Sequence, residues 1–126
     1  MTIDIEQEAK RYARIVIAPI QAGYQGLYDV RTETIYIADN LTPTQYRCVL
    51  AHEASHAKHR DRGGHVDRYT EQRADMEAAR MLISQADYVT AEILYGSDEC
   101  AIARELNVMP WVIKAYKQWL HDSVAA

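Results

Sequence analysis

At 126 residues, with 48% hydrophobic and 25% charged residues, the chain has the size and composition of a single globular domain spanning residues 1–126. Its net charge of −4 provides no global basic field, which excludes recruitment to nucleic acid or to an anionic membrane by charge alone. No stretch approaches the ~20 apolar residues of a membrane span, and Met1–Glu6 lacks the basic and apolar segments of a signal peptide. The sequence therefore predicts a cytoplasmic protein with no membrane partner.

The first third of the chain is predicted to contain one short charged helix and three strands. The helix covers residues 4–14, and the strands cover residues 15–18, about 24–30 and 34–38. Pro19 ends the first strand, and a turn around Arg31–Glu33 joins the other two into a hairpin. In the last strand Ile35 and Ile37 share one face, a pattern compatible with a half-buried edge. We expect an α+β fold in which a small, mostly antiparallel sheet of about three strands packs on a mainly helical domain.

A helix of about four turns follows the hairpin. Thr42 is its predicted N-cap, Pro43 occupies the first helical position and Gln45 the third, an arrangement typical of a capping box. Apolar or small residues recur with the helical period at Tyr46, Val49, Leu50, Ala54 and Ala57. The glycines in the segment Arg62–Gly64 are expected to end the helix, since glycine accepts the left-handed conformation of a helix terminus.

This helix carries His52-Glu53-Ala54-Ser55-His56, a His-Glu-x-x-His motif. Residues four apart in an α-helix lie on the same face, about 6 Å apart along the axis, so both imidazoles can bind one divalent ion. Glu53 lies one step around the helix and can reach a water molecule on that ion. The motif predicts a zinc site with His52 and His56 as ligands and Glu53 as the catalytic general base.

A second helix, predicted from about Val66 to Ser84, supplies the third ligand. Its apolar positions follow the helical period at Ala74, Ala78, Met81 and Leu82. Extending that stripe backwards reaches Glu71, and a carboxylate on an inward face is costly unless it is paired or metal-bound. Glu71 is therefore the predicted third zinc ligand, and Asp75 is expected to orient a metal-binding histidine from behind. The alternative is that both belong to an acidic helix surface. Four other polar residues are expected to be solvated: Gln72, Arg73, Glu77 and Arg80.

Three further helices are predicted at about residues 87–95, 98–106 and 110–121, followed by a frayed tail over residues 122–126. Gly96 is expected to end the first of them, Ser97 to cap the second and Pro110 to begin the third. Cys48 and Cys100 lie far apart without metal-ligand spacing, and we interpret both as reduced packing residues.

The His-Glu-x-x-His motif, followed by Glu71-x-x-Ala74-Asp75, resembles the gluzincin arrangement of zinc peptidases. More narrowly, the segment Leu50–His56 and the pattern Glu71-x-x-Ala74-Asp75-x-x-Ala78-Ala79-x-x-Leu82 are similar to the ImmA/IrrE family of small bacterial and phage metallopeptidases. The family also has a Gly/Tyr-containing hairpin like Gly26–Ile37, so the resemblance covers roughly residues 15–120. An aromatic residue is common in the family where this chain has Glu77. The resemblance implies a zincin-like domain.

It also implies a zinc endopeptidase that cleaves a helix-turn-helix transcriptional repressor, relieving repression of phage, mobile-element or stress-response genes. In the expected mechanism, the three ligands leave a fourth position on Zn²⁺ open for water, and Glu53 transfers the water proton to the leaving amine. An extended substrate is expected to pair with the strand that contains Thr34, Ile35 and Tyr36.

A donor to the developing oxyanion is also required, and the sequence leaves four candidates open: Tyr69, Tyr88, Tyr95 and His65. Otherwise His65, like His59, is interpreted as an ordinary solvent-exposed histidine.

Two other functions compete with proteolysis. Residues 98–120 resemble a helix-turn-helix, with Lys114, Lys117 and Gln118 on its second helix. However, apolar residues such as Trp111 are expected to be buried there, and two lysines can contact only a few phosphates. Nucleic-acid binding is therefore disfavoured. The other alternative is a toxin or regulatory binding protein that holds zinc without peptidase turnover.

Overall fold

A computed structural model describes residues 3–62 and 67–125. Its elements run in the order α1 (Ile5–Lys10), β1 (Arg14–Ala18), β2 (Gly26–Asp29), β3 (Thr34–Ala38), α2 (Pro43–His59), α3 (Arg68–Leu82), α4 (Gln85–Tyr95), α5 (Glu99–Leu106) and α6 (Pro110–Ala125). The α+β class predicted from the sequence is confirmed. Within the described ranges, no helix combines the length and the apolar character needed to cross a membrane. The predicted helix stop at Gly63 and Gly64, the helix start at Val66 and the candidate His65 lie outside the described residues.

The three strands form one sheet in the order β1-β3-β2. β2 and β3 pair as the predicted antiparallel hairpin, whereas β1 pairs with β3 in parallel, with Ile15 opposite Ile35. The sheet is therefore mixed rather than mostly antiparallel. Because β3 is paired on both sides, the expectation that it forms an edge is wrong.

Strand β3 is more deeply buried than its alternating sequence suggests. Thr34, Ile35 and Ile37 are all fully buried, although successive side chains point to opposite faces of a strand. The Thr34 hydroxyl donates to the Thr32 carbonyl at 3.1 Å and accepts from the Arg14 guanidinium at 3.3 Å. A hydroxyl with satisfied hydrogen bonds is tolerated in the interior. Thr34, whose polar side chain suggested a solvent-facing position, is therefore part of the core.

Helix α2 begins as predicted. The Thr42 hydroxyl accepts from the Gln45 N–H at 3.2 Å, and the Gln45 side chain accepts from the Thr42 N–H at 2.9 Å, so the capping box is confirmed. The helix ends at His59, before the glycines expected to stop it, where Arg60 adopts the left-handed conformation with φ of 53°. The Arg60 guanidinium pairs with Glu33, 3.1 Å away in the hairpin turn. The site helix is thus defined at both ends.

Helix α2 contributes to both parts of the hydrophobic core. One cluster joins α1, β2 and β3 to the apolar stripe of α2 and includes Ile5, Ala9, Tyr28, Ile35, Ile37, Val49, Leu50, Ala54 and Ala57. The other is built mainly by the helices from α3 to α6 and contains Cys48 from α2 together with Tyr88, Ile102 and Ile113. Burial on more than one side fixes the rotation of α2 about its axis, and with it the direction of the motif side chains.

The C-terminal helices follow the sequence prediction closely, with two differences. Gly96 ends α4 with φ of 63°, and Pro110 begins α6, as expected. Asp98, rather than Ser97, caps α5, since its carboxylate accepts from the Ala101 N–H at 3.1 Å. Helix α6 continues through residue 125, so residues 122–125 are helical rather than frayed.

The two cysteines differ in environment. Cys48 is fully buried on α2, in agreement with a packing role. Cys100 is exposed on α5, so its interpretation as a packing residue is wrong. Both are free thiols.

Candidate active site

Two helices bring three metal-ligating side chains together. His52 and His56 lie one turn apart on α2, with their Nε2 atoms separated by 3.1 Å. Glu71, in the first turn of α3, places one carboxylate oxygen 2.9 Å from His52 Nε2 and the other 3.3 Å from His56 Nε2. The three ligand atoms lie within 4.8 Å of one another. The residues predicted as ligands therefore form one cluster that could hold a metal ion.

The spacing and chemistry of this cluster fit a divalent cation. Two ligand atoms about 2.1 Å from a tetrahedral ion are separated by about 3.4 Å, close to the observed separations of 2.9 to 3.3 Å. When a carboxylate accepts the proton on Nδ1, a neutral imidazole presents the lone pair of Nε2. Two such lone pairs and the Glu71 carboxylate converge here, and they repel one another unless a proton or a metal ion lies between them.

Each histidine also contacts a carboxylate through its Nδ1 atom, the ring nitrogen that does not face the cluster. Asp75 on α3 lies 2.8 Å from His52 Nδ1, the contact expected from the sequence. Asp61, just beyond α2, lies 2.8 Å from His56 Nδ1. Such carboxylates fix the tautomer and the orientation of a metal-binding ring. Sequence reasoning missed Asp61 because it follows the end of the helix, where helical periodicity no longer places a residue.

Arg73 extends this network. Its guanidinium donates to the Asp61 carboxylate, so the prediction that Arg73 is simply solvated is wrong. The Asp61 side chain is largely buried, and a buried carboxylate needs a compensating charge or donor. Arg73 supplies both, which leaves Asp61 anchored as the orienting partner of His56.

The charge of the site acts on His52. Burial by itself lowers the pKa of His52, but the hydrogen bond to Asp75 and the negative charges of Glu53, Asp75 and Glu71 outweigh burial and raise it. The site therefore attracts positive charge, as a cation-binding site must.

Glu53 is buried beside the two histidines. Burial raises the pKa of its carboxyl group, while the charges of His52 and His56 act in the opposite direction. Gly26 of β2 lies directly against it: a Cβ on Gly26 would come within 3.1 Å of Glu53 Cγ and 3.3 Å of Glu53 Oε2. A carboxyl group with a raised pKa can accept a proton and release it again more readily than an ordinary carboxylate. The position and environment of Glu53 therefore fit the general-base role that the sequence predicts for it.

Glu77 lies outside the ligand cluster, as predicted, but it is not simply solvated. Its carboxylate accepts from the Ser55 hydroxyl at 2.5 Å and lies 3.0 Å from His59 Nε2. Burial acts to raise the pKa of Glu77, and the hydrogen bonds from Ser55 and His59 outweigh it and leave the pKa lowered. His59, interpreted from the sequence as a free surface histidine, is therefore one partner in a structural contact between α2 and α3.

The predicted substrate-binding strand does not have a free edge. Thr34, Ile35 and Tyr36 belong to β3, whose two sides pair with β1 and β2. Pairing of a substrate with this strand is excluded, so that prediction is wrong. Strand β2 is the one that passes the site, through the contact of Gly26 with Glu53.

The candidate oxyanion donors lie in other environments. Tyr88 is buried and donates to Glu92 at 2.9 Å, and Tyr95 donates to Glu105 at 2.9 Å. Tyr69 is exposed at the start of α3. Tyr88 and Tyr95 are thus engaged in contacts within the C-terminal helices rather than directed at the ligand cluster.

Two cavities meet at Glu53 and Gly26. The Leu27 cavity, about 510 Å³, is lined by Ile20, Tyr24, Leu27, Tyr28 and Arg62 together with residues of the ligand cluster. The Trp111 cavity, about 710 Å³, is lined by Asn40, Gln45, Asp75 and Trp111, and also contacts His52. Both share Tyr24, Gly26 and Glu53, so one depression passes over the site along β2.

The last helix, α6, reaches the same site. Trp111, at the start of α6, packs edge-to-face on His52 with 6.0 Å between ring centroids. Val112 and Ile113 are fully buried, and Lys117 pairs with Glu99 at 3.4 Å. These contacts pack α6 against the ligand cluster through Trp111, and the ion pair with Glu99 of α5 engages one of the two lysines on which a nucleic-acid interface would depend.

Comparison with known families agrees with this geometry. A family model described as Peptidase M78, IrrE N-terminal-like domain, matches residues 5–114, a range that includes the three candidate ligands and Glu53. The chain belongs to this family. Membership supports a metallopeptidase-type function and implies a metal at the site, for which the cluster of His52, His56 and Glu71 is suited. No curated protein sequence matches the chain.

Proposed function

We propose that the protein is a zinc-dependent endopeptidase with its catalytic centre at His52, His56 and Glu71. The observation that carries the proposal is the convergence of these three side chains on one position, with Glu53 buried beside them. Two imidazoles and one carboxylate form the three-ligand set of catalytic zinc sites, in which a further position remains for water or substrate. The cluster contains no thiolate, and two histidines with one glutamate are the ligand set of catalytic zinc in known metallopeptidases.

A zinc ion held by His52, His56 and Glu71 would supply Lewis-acid chemistry, polarising the scissile carbonyl and lowering the pKa of a water molecule to about 7. Glu53 accepts the proton of that water and then delivers it to the leaving amine. Asp61 and Asp75 hold His56 and His52 in the tautomer that keeps Nε2 available. In this mechanism Glu53 transfers the proton, and Asp61 and Asp75 orient the two histidines.

We place the substrate along β2 rather than β3. The Ala38 N–H donates to the Gln25 carbonyl at 2.9 Å, which makes these two residues a hydrogen-bonded pair of the antiparallel ladder. Hydrogen-bonded and non-hydrogen-bonded pairs alternate, so the backbone groups of Gly26 and Tyr28 point away from β3. Within the described residues, no strand pairs with that side of β2. An extended peptide bound there passes next to Glu53.

The proposed substrate is a helix-turn-helix transcriptional repressor whose cleavage relieves repression of phage, mobile-element or stress-response genes. Support for this substrate comes from the family resemblance alone, since fold and site chemistry fit peptide hydrolysis in general. An extended segment that links two domains of such a repressor would fit the depression along β2.

The test is incubation of purified protein with the repressor encoded beside its gene, read by mass spectrometry. Wild type loaded with zinc is expected to cut the repressor at a defined bond, and a chelator is expected to stop cleavage. Glu53→Gln keeps the shape of the side chain but removes the base, so it should retain zinc and the fold and lose cleavage. Undiminished cleavage by Glu53→Gln would refute the role of Glu53, and cleavage insensitive to the chelator would refute the metal mechanism.

A further inference from the structure

We propose that one side of helix α4 is a binding surface for a partner protein, and that the partner contributes an amphipathic helix whose apolar stripe is bordered by lysine or arginine. This surface, which we call the α4 face, consists of five exposed residues: Ala86, Val89, Thr90, Ile93 and Leu94. The proposal goes beyond peptide hydrolysis, since the α4 face lines neither of the two cavities at the ligand cluster.

Helix α4 has apolar residues on two opposite sides. Tyr88 and Ala91 are buried and face the core. The residues of the α4 face recur at i, i+3, i+4, i+7 and i+8, the spacing of the stripe that an amphipathic helix normally buries. Helical geometry places this stripe on the side opposite Tyr88 and Ala91, where a surface helix usually has polar residues. The sequence of α4 is therefore that of a helix with a second neighbour.

The α4 face is contiguous and apolar. Val89, Ile93 and Leu94 expose 47%, 78% and 62% of their surface, and they lie within about one and a half turns of helix. Thr90 supplies the one hydroxyl of this face, which donates to the Ala86 carbonyl at 3.1 Å. Because that hydroxyl is satisfied within the helix, an apolar partner can cover the face without leaving it unpaired. Single exposed hydrophobic residues are ordinary, but a contiguous group of them is typical of an interaction site.

The charges around the α4 face are negative. Asp87 and Glu92 are both exposed on α4, and this helix contains no lysine or arginine. Residues 84–107, which cover α4 and α5 with their caps, contain five acidic residues and a single basic one, Arg104. This segment thus carries a net charge of −4, as much as the whole chain. Lysine or arginine beside the apolar stripe of a partner would be attracted to these carboxylates, which favours association and speeds it.

The same charges disfavour two other occupants of the α4 face. Two-fold pairing of α4 with a second copy of the chain would bring the carboxylates of both copies together, and like charges across an interface oppose binding. An anionic membrane surface would repel these carboxylates for the same reason. A helix is favoured over an extended strand, because side-chain ridges with i, i+3 and i+4 spacing pack into the grooves of another helix.

The experiment measures binding of two labelled synthetic helices, each of about 18 residues, to the full chain by fluorescence anisotropy. Both peptides carry the same leucine stripe, bordered by lysine in the basic probe and by glutamate in the acidic probe. The basic probe should bind wild type at least about 10-fold more tightly than the acidic probe, and salt should weaken it. The double variant Ile93→Gln/Leu94→Gln should weaken the basic probe by about 10- to 100-fold, the factor associated with losing burial of apolar side chains. Asp87→Asn should weaken the basic probe and reduce its dependence on salt.

A matched control is available on the sheet. Ile17 of β1 is also an aliphatic residue that the fold leaves in solvent, 58% exposed, and Ile17→Gln should leave the affinity for the basic probe unchanged. Because Ile93 and Leu94 are exposed, their replacement should leave the urea midpoint of unfolding unchanged. If the double variant is less stable, Val89→Thr tests the same face with a branched side chain of similar shape, and it should weaken the basic probe by about 3- to 10-fold.

Several outcomes would overturn the proposal. They are failure of the basic probe to bind, equal affinity for both probes, and an equal loss of affinity in Ile17→Gln. Dimerisation of wild type that the double variant abolishes would identify a second copy as the occupant, and binding to phosphatidylglycerol vesicles that it abolishes would identify a membrane. None of these measurements depends on cleavage, so the peptidase proposal is tested separately, by comparison with Glu53→Gln.

Discussion

Replacing Gly26 by alanine tests the contact between β2 and helix α2, which carries the proposed catalytic residues. A Cβ at position 26 would lie 2.6 Å from Val49 Cγ1 and 3.1 Å from Glu53 Cγ. Carbon atoms prefer separations of about 3.5–4.0 Å, so the added methyl overlaps Val49 by about 1 Å. Either β2 withdraws from α2, or the side chains of Val49 and Glu53 leave their positions. Each response disturbs the placement of Glu53, the proposed general base.

The expected magnitude follows from the burial of the contact. Inserting a methyl group into a packed interior costs about 1–3 kcal/mol of unfolding free energy. Val49 is 8% exposed, and truncating it to alanine alone should cost about 1–3 kcal/mol through the cavity left behind. Val49→Ala removes the atom that clashes, so the double variant should be less destabilised than the sum of the single variants by about 1–2 kcal/mol.

The assay is urea denaturation of wild type, Gly26→Ala, Val49→Ala and the double variant, with zinc content and cleavage measured on the same samples. Gly26→Ala should keep its metal, since it contacts none of the three ligands in the overlap, but lose most of its cleavage because Glu53 is displaced. Additive free energies, within about 0.5 kcal/mol, would refute the packing argument. Full activity of Gly26→Ala would show that Glu53 does not depend on the approach of β2.

Three further predictions concern the carboxylates. Glu71→Ala should sharply weaken metal binding while Glu77→Ala leaves it intact, as measured by metal content after dialysis, and the reverse result would overturn the ligand assignment. Asp61→Asn should raise the metal dissociation constant by about 10–100-fold, as should Asp75→Asn, and unchanged chelator competition would contradict an orienting role. Because the pKa of Glu77 is lowered in the folded state, its carboxylate stabilises the fold above the unfolded value of about 4.3 and loses this effect as the pH falls through the folded value. The destabilisation caused by Glu77→Gln should therefore shrink between pH 7 and pH 3, and a constant difference would contradict the stabilisation of the Glu77 carboxylate by Ser55 and His59.

The parts of the site that lie on one helix could be predicted from sequence. The capping box at Thr42 and Gln45, the apolar stripe of α2 and the i, i+4 histidines all follow from helical geometry, which depends only on local sequence. Glu71 could also be predicted from the sequence, because the apolar stripe of α3 continues onto it. Asp75 followed from its position one turn later and from the chemistry of metal-bound histidine.

The parts that depend on tertiary pairing could not be predicted in this way. The order of strands in the sheet is set by contacts between segments far apart in sequence, so the alternation of residues 34–38 could not reveal that β3 is central. Asp61 and Gly26 reach the site from irregular chain and from a neighbouring strand, where no periodicity points to them. Likewise, only the packing of α2 on α3 shows that Glu77 meets Ser55 and His59.

Because Trp111 packs edge-to-face on His52, its fluorescence should report a metal ion bound at the proposed site. The chain has two tryptophans, and the other, Trp119, stacks under the Arg80 guanidinium at 4.5 Å on α6. An indole 6.0 Å from a ligand ring lies within the short range over which a paramagnetic ion such as Co²⁺ quenches fluorescence. Titration of the apoprotein with cobalt, with Trp119→Phe to isolate the signal, would therefore follow occupancy in real time without any substrate.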